Sequence, residues 1–258
     1  MKLKKHIQHQ PFMKKFKLLP LAVCLLATTS ALQSCSDFDD DKNELLVPSA
    51  VVTVKPQNNG ESFTMQLDKN TILQPTNMKA SPFGNKEVRA LVNYTESAGN
   101  ETEGLRNVTI NWIDSIRTKK TVPDLGEENN AKYGNDPIEI VNDWLTVAED
   151  GYLTLRFRTL WGYGTTKHNI NLLTNGNPDN PYELELRHDA NGDLGGEMRD
   201  ALIAFNLKDL TILDMADIKI KIKWKSFSGE KSAEFDLYIP ESRNIAPASQ
   251  PTYSRYVN

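Results

Sequence analysis

Beyond position 35 the chain has no cysteine, because of its 258 residues only Cys24 and Cys35 carry a thiol. Whatever folds downstream therefore has no disulfide, no thiolate nucleophile and no cysteine metal site. Histidine is nearly as scarce. His6 and His9 sit at the extreme N-terminus, leaving His168 and His188, too few for a histidine-rich metal centre. The HExxH helix, the Walker loop, the G-x-S-x-G elbow and the Rossmann glycine pattern are all missing. Positive charge is short as well. The 30 Lys and Arg face 34 Asp and Glu, and six of those lysines precede Cys35 with no acidic residue among them. From Cys35 onward 24 basic residues face 34 acidic ones, a net charge of about −10. Such a balance argues against nucleic acid as a partner, since binding it rests on clustered positive charge.

The lysines of the first seventeen residues run into an apolar stretch at residues 18–31, too short for a confident spanning helix, and then into Leu32-Gln33-Ser34-Cys35. A basic segment, a short apolar segment and small residues at a cleavage point make a secretory signal. The cysteine closing it resembles the lipobox of bacterial lipoproteins, in which Cys35 is acylated and becomes the first residue of the processed chain. Palmitate-type acylation and membrane attachment at Cys35 are the expectation. Ser36, Asp37, Asp39, Asp40 and Asp41, around Phe38, resemble the acidic export signal of surface lipoproteins; as a plain polymer they are also a solvated linker. Together they point to the outer membrane, with the cell surface favoured over its periplasmic face. Met13-Lys14-Lys15 reads as a second, more ordinary start than Met1.

Five short apolar runs lie between residues 50 and 116, at 50–54, 62–67, 71–73, 87–95 and 105–116. Asn58-Asn59-Gly60, Asp68-Lys69-Asn70, a loop with Pro75, Pro82 and Gly84, and residues 97–104 separate them. Short strands joined by turn residues, without a sustained helical period, predict a small five-stranded closed barrel of OB type. Composition shifts over residues 121–133, which carry Pro123, Gly126 and Glu127-Glu128-Asn129-Asn130 and are taken as the junction. Alternation then becomes strict. Ile218, Ile220, Ile222 and Trp224 interleave with Lys219, Lys221, Lys223 and Lys225, one face for a core and one for water. Similar patterns at 144–148, 152–160, 169–174, 182–187, 198–207 and 234–239 predict seven or eight antiparallel strands in a β-sandwich. The fold class is all-β. Its expected parts are a signal over 1–34, an acidic linker over 35–46, an OB barrel over 47–120, a sandwich over 121–241 and a tail over 242–258.

Three patterns bear on chemistry. Asp189-Ala190-Asn191-Gly192-Asp193 with Asp200 has oxygen ligands at calcium-loop positions 1, 3, 5 and 12, but Leu194 stands where the loop needs glycine, and a hairpin turn explains the same residues. His188 beside Arg187 could serve as a base, yet no serine or cysteine stands at a diagnostic spacing, so it reads as structural. Trp161-Gly162-Tyr163-Gly164 offers two aromatics either to a partner or back onto the sheet. The lysine row reads as a solvated face rather than a polyanion stripe. No catalytic residue, cofactor or metal ligand is assigned.

Several segments in order, Val92-Asn93-Tyr94-Thr95, Gly134-Asn135-Asp136-Pro137-Ile138, His168-x-Ile170-Asn171-Leu172, Leu186-Arg187-His188 and Phe205-Asn206-Leu207, resemble the NigD-like lipoprotein family. The resemblance implies an N-terminal OB domain, a C-terminal β-sandwich and a bacteriocin-immunity role, with a protein or peptide toxin as partner and no catalytic residue. The alternative is a surface carbohydrate-binding or glycan-processing accessory lipoprotein. Replacing the anchor tests the first step of this reading. A diacyl or triacyl chain supplies about 0.8 kcal/mol per buried methylene, so Cys35→Ala should move the protein from the detergent phase to the aqueous phase on partitioning. Retention of the variant in membranes would refute the lipobox.

Overall fold

A computed structural model describes residues 47–98, 103–162, 164–210 and 217–238. Cys35, Ser36, Asp37, Asp39, Asp40, Asp41, Tyr163 and the tail from 242 lie outside the described residues. Among those described, no helix is long and apolar enough to cross a membrane.

The barrel consists of β1 (Ala50–Gln57), β2 (Ser62–Gln66), β3 (Ile72–Pro75), β4 (Val88–Glu96) and β5 (Leu105–Ser115), closed in the order β1-β2-β3-β5-β4. Its alternating residues Val52, Val54, Phe63, Met65, Leu73, Ala90, Val92 and Val108 fill the interior. Closure leaves those strands without an open edge. Two details hold it shut. Gly60 has φ +90°, and a Cβ there would stand 2.6 Å from the Gly84 carbonyl oxygen, so only glycine lets the β1–β2 turn touch the following loop. Past the end of β3, the Asn77 side-chain amide donates to the Ile110 carbonyl at 2.8 Å and accepts from the Ile110 N–H at 2.9 Å, imitating one more residue of strand against β5.

The chain leaves the barrel at Ser115 and is already paired in the sandwich at β6 (Thr118–Lys120). Residues 121–133 hold β7 (Val122–Pro123) and a short helix α1 (Asn129–Tyr133), with the Tyr133 hydroxyl donating to the Pro123 carbonyl at 3.1 Å. That segment is therefore an edge of the sandwich, and the passage between domains lies at Ile116-Arg117. The remaining strands are β8 (Glu139–Ile140), β9 (Val147–Glu149), β10 (Tyr152–Trp161), β11 (Asn169–Thr174), β12 (Glu183–Asp189), β13 (Glu197–Asn206), β14 (Asp217–Ser226) and β15 (Gly229–Tyr238). One sheet runs β6-β13-β10-β8, with β9 also on β10, and the other runs β15-β14-β12-β11-β7. Leu153, Leu155, Phe157, Ile203 and Phe205 from the first meet Ile170, Leu172, Leu184, Leu186, Ile220 and Ile222 from the second.

Two expectations need correction. The sandwich is not wholly antiparallel, because β12–β14, β6–β13 and β7–β11 pair parallel. After β12 the chain crosses to the opposite sheet for β13 and returns for β14, which therefore lies beside β12 in the same direction; alternation specifies faces but not directions. The strand expected over 144–148 begins only at Val147. Asp143 accepts the Leu145 N–H on its carboxylate and the Thr146 N–H on its carbonyl, which turns the chain and leaves Trp144 exposed. The lysine row is the ionic outer face anticipated. Lys221 and Lys223 both pair with Glu183, holding its carboxyl down at about 2, and Lys219 pairs with Asp236.

Barrel and sandwich meet across a seam with an apolar patch and a polar centre. Val51 and Ile116 of the barrel side pack on Ala204, joined by Leu91, Leu145, Val147 and Leu202. Beside them Arg89 of β4 is 0% exposed. Its Nε donates to Thr154 Oγ1 at 3.1 Å, its Nη1 to Thr53 Oγ1 at 3.0 Å, and its Nη2 lies 3.5 Å from Glu149 Oε2. Burial pulls the guanidinium below its ordinary value, and Glu149 acts against that. Around this centre Lys55 donates to Asp150 at 2.7 Å, the Tyr152 hydroxyl to Glu87 at 2.8 Å, and Lys208 also pairs with Glu87. Removing the buried cation strands two hydroxyls and a carboxylate, although Glu149 still reaches water. Arg89→Ala should thus lower stability by roughly 3 kcal/mol, measured by urea denaturation. A loss below half a kilocalorie would show that the seam rests on its apolar patch alone.

Candidate functional site

The only two histidines beyond position 35 come together. His188 is the sixth residue of β12, and His168 precedes β11, its hairpin partner; the register pairs Ile170 with His188, so the two imidazoles are diagonal neighbours on one face. His168 Nδ1 lies 2.9 Å from His188 Nε2, and both side chains are essentially unexposed. His188 Nδ1 faces the Pro137 carbonyl at 3.1 Å, and His168 Nε2 faces Asp193 Oδ2 at 3.5 Å. Trp161, at the end of β10, stacks on His168 with ring centroids 4.0 Å apart and donates its indole N–H to the Arg199 carbonyl at 3.1 Å.

The segments around this pair are locked by backbone contacts. The Asp136 N–H donates to the His188 carbonyl at 2.8 Å, while the Asp136 carboxylate accepts the Ala190 N–H at 2.8 Å. Gly134, at φ +76°, lies so close that a Cβ would fall 2.5 Å from the His188 carbonyl oxygen. Lys119 of β6 crosses between the two sheets, donating to the Ile170 carbonyl at 2.7 Å and to Asn171 Oδ1 at 2.9 Å; burial, then nearby Arg117, brings its amine down to about 8. The Gly134–Ile138, His168–Leu172 and Leu186–His188 segments thus converge on one corner of the sandwich. Histidine scarcity and the hairpin spacing could have disclosed the pair. Nothing in the sequence marks Asp193 or Trp161 as its neighbours.

Each of the three sequence patterns has a place in the structure. His188 has both ring nitrogens occupied and, through burial, a pKa lowered to about 4, so it is a neutral hydrogen-bonded strut. Asp200 does not join the aspartate loop. It accepts from Arg158 Nε at 2.5 Å and from Arg156 Nε at 2.9 Å on the β10–β13 face, while Asp189 accepts the Asn191 N–H in a tight turn. Among the described residues no group of three or more metal-ligating side chains is assembled. Trp161 folds back onto the sheet rather than outward. A separate concavity, an open cleft of about 530 Å³, lies at the seam between Asp68, Lys69 and Asn70 of the barrel and β9 and β15 of the sandwich. Phe235 and Tyr238 line it with Asp68, Glu149, Glu234 and Asp236.

These placements yield two expectations. Calcium or a chelator should leave the melting temperature unchanged, since a bound ion would raise it by mass action; a calcium-dependent rise would revive the aspartate loop. Acid should weaken the fold through the histidines. The unfolded chain protonates them near 6.5, whereas folded His188 resists to about 4, so stability falls as pH drops between those values, by on the order of 3 kcal/mol. His188→Gln should flatten that part of the curve, and an unchanged slope would contradict the burial argument.

Several solved structures are similar to this chain in fold. A crystal structure from Parabacteroides distasonis, described as toxin-related, is 32% identical, with a TM-score of 0.60, covering 74% of this chain and 93% of that one. A NigD-like immunity protein from Bacteroides caccae is 23% identical with a TM-score of 0.53, covering 74% of this chain and 97% of that one, and a protein of unknown function from Bacteroides vulgatus is 23% identical with a TM-score of 0.56, covering 78% and 95%. No curated protein matches. The NigD-like N-terminal OB domain matches residues 51–116 and the NigD-like C-terminal beta sandwich domain matches residues 120–237. A closed five-stranded barrel, a two-sheet sandwich and these matches in the same order establish that the chain belongs to the NigD-like family.

Proposed function

We propose that this chain is a lipid-anchored protein of the bacterial surface that acts by binding, and that it protects its cell by holding a toxin in a stoichiometric complex. The observation that carries the reading is membership of the NigD-like family across both domains, beside a 32% identical relative described as toxin-related. Cys35 supplies the tether and the acidic run from Ser36 to Asp41 the outward address. A binding role also accords with the histidine corner, whose ring nitrogens are engaged with each other, Pro137 and Asp193 rather than with a serine or threonine nucleophile.

The partner chemistry that fits is a cationic peptide. The seam cleft is lined by four carboxylates, two aromatic rings and Lys69; Glu149 already faces Arg89, and Glu234 and Asp236 face Lys219, which leaves Asp68 as the carboxylate to meet a cation, on a chain that is acidic overall. Deleting the gene should sensitise cells to the cognate bacteriocin. The parent gene should restore protection, whereas Cys35→Ala and the cleft variant Asp68→Lys should not. Unchanged sensitivity together with poorer growth on a particular glycan would overturn immunity in favour of carbohydrate capture.

A further inference from the structure

The line Pro137 O, His188, His168, Asp193 begins and ends on an acceptor. A carbonyl oxygen stands at one end and a carboxylate at the other, with four ring nitrogens between them. Each of its three links needs one proton. Two neutral imidazoles carry only two between them, so in the neutral state one link sets lone pair against lone pair. The lengths identify it. The His188–Pro137 and His168–His188 links are 3.1 and 2.9 Å, ordinary hydrogen bonds, whereas His168 Nε2 and Asp193 Oδ2 stand 3.5 Å apart.

We propose that His168 and His188 together form a binding site for a single shared proton, whose uptake completes an unbroken hydrogen-bonded line from the Pro137 carbonyl to the Asp193 carboxylate. With that proton on the pair, His188 donates from Nδ1 to Pro137, one hydrogen lies between His188 Nε2 and His168 Nδ1, and His168 donates from Nε2 to Asp193. One N–H bond forms, its proton taken from solvent, and the positive charge is spread over two rings.

The surroundings supply what such a charge needs. Asp193 comes from the loop after β12, Asp189 from the end of β12, and Asp136 from the segment leading to β8; all three favour the cation at His168. The nearest cation in sequence, Arg187, points to the other face of β12, where it pairs with Glu185 at 2.7 Å and donates to Asn130 at 2.7 Å. Trp161 lies flat on the His168 ring, a geometry that favours imidazolium over imidazole. Against these stands burial, which pulls both histidines below their ordinary value. The balance admits one proton and resists a second, because two imidazolium rings 5.0 Å apart would repel at short range in a poorly solvated corner. Uptake also draws Asp193 inward. Its other oxygen already abuts Gly162, where a Cβ would lie 1.8 Å away, so the Asp193 side of the turn would press on the end of β10.

Nitrogen-15 NMR of the histidine-labelled chain, followed from about pH 7.5 down to about pH 3, through and below the ordinary histidine range, reads the proton directly. The expected result is one common step in which the ring nitrogens of both histidines move together, accounting for one proton per pair. Asp193→Asn offers an amide N–H to His168 Nε2 and so supplies the missing donor without a proton; the common step should shift down by about one pH unit or more, with the neutral-pH melting temperature retained. His168→Gln provides a second route, since His188 should then lose the common step and titrate alone. Independent titration of the two rings in the parent, or a step that neither substitution moves, would overturn the proposal.

Discussion

A guanidinium buried in the seam between the two domains is the constraint on which the molecule depends. Arg89 belongs to a barrel strand, yet its donors are divided between Thr53 of the barrel and Thr154 of the sandwich, with Glu149 alongside. A charge removed from water is tolerated only where hydrogen bonds and an opposite charge replace the lost solvation. Neither domain provides that set alone. The barrel and the sandwich are therefore complementary around one cation, and the outer polar ring of Lys55, Asp150, Tyr152, Glu87 and Lys208 extends the same complementarity to the seam's edge. The seam cleft follows from it, because its walls are a barrel turn and two sandwich strands whose spacing the seam sets.

What could be read from the sequence was what local periodicity encodes. Ile218, Ile220, Ile222 and Trp224 declared a buried face, and their lysine neighbours declared a wet one, because a strand exposes alternate residues to opposite sides. Turn residues such as Asn59-Gly60 marked where strands stop. Arg89 was invisible for the same reason. It sits within an apolar strand, at a position that alternation assigns to the outside of the barrel, and only the docking of a second domain turns that outside into an interior. Parallel pairing of β12 with β14 was likewise hidden, since it depends on which sheet the intervening strand joins. The histidine corner lay between these extremes: the residues were conspicuous, but their partners come from three separate segments.

The geometry also redirects attention from loops to seams. Of the two roles open to Trp161, contact with a partner or folding back onto the sheet, it takes the second: its ring serves as a floor under His168 while its indole N–H holds the Arg199 carbonyl. Concave surface with charge occurs instead between the domains, where Phe235 and Tyr238 lie among carboxylates. A tethered binder of the proposed kind needs such a rigid, preorganised face, because every loop it would otherwise have to order on binding detracts from affinity.

A seam built around Arg89 couples barrel and sandwich into one thermodynamic body. Scanning calorimetry tests this most directly, by comparing the calorimetric enthalpy of unfolding with the van't Hoff enthalpy of the same transition. A seam built around Arg89 predicts a single transition in which the two enthalpies agree. Two resolved transitions, or a calorimetric enthalpy about twice the van't Hoff value, would show that the domains unfold independently and that the buried arginine does not unite them.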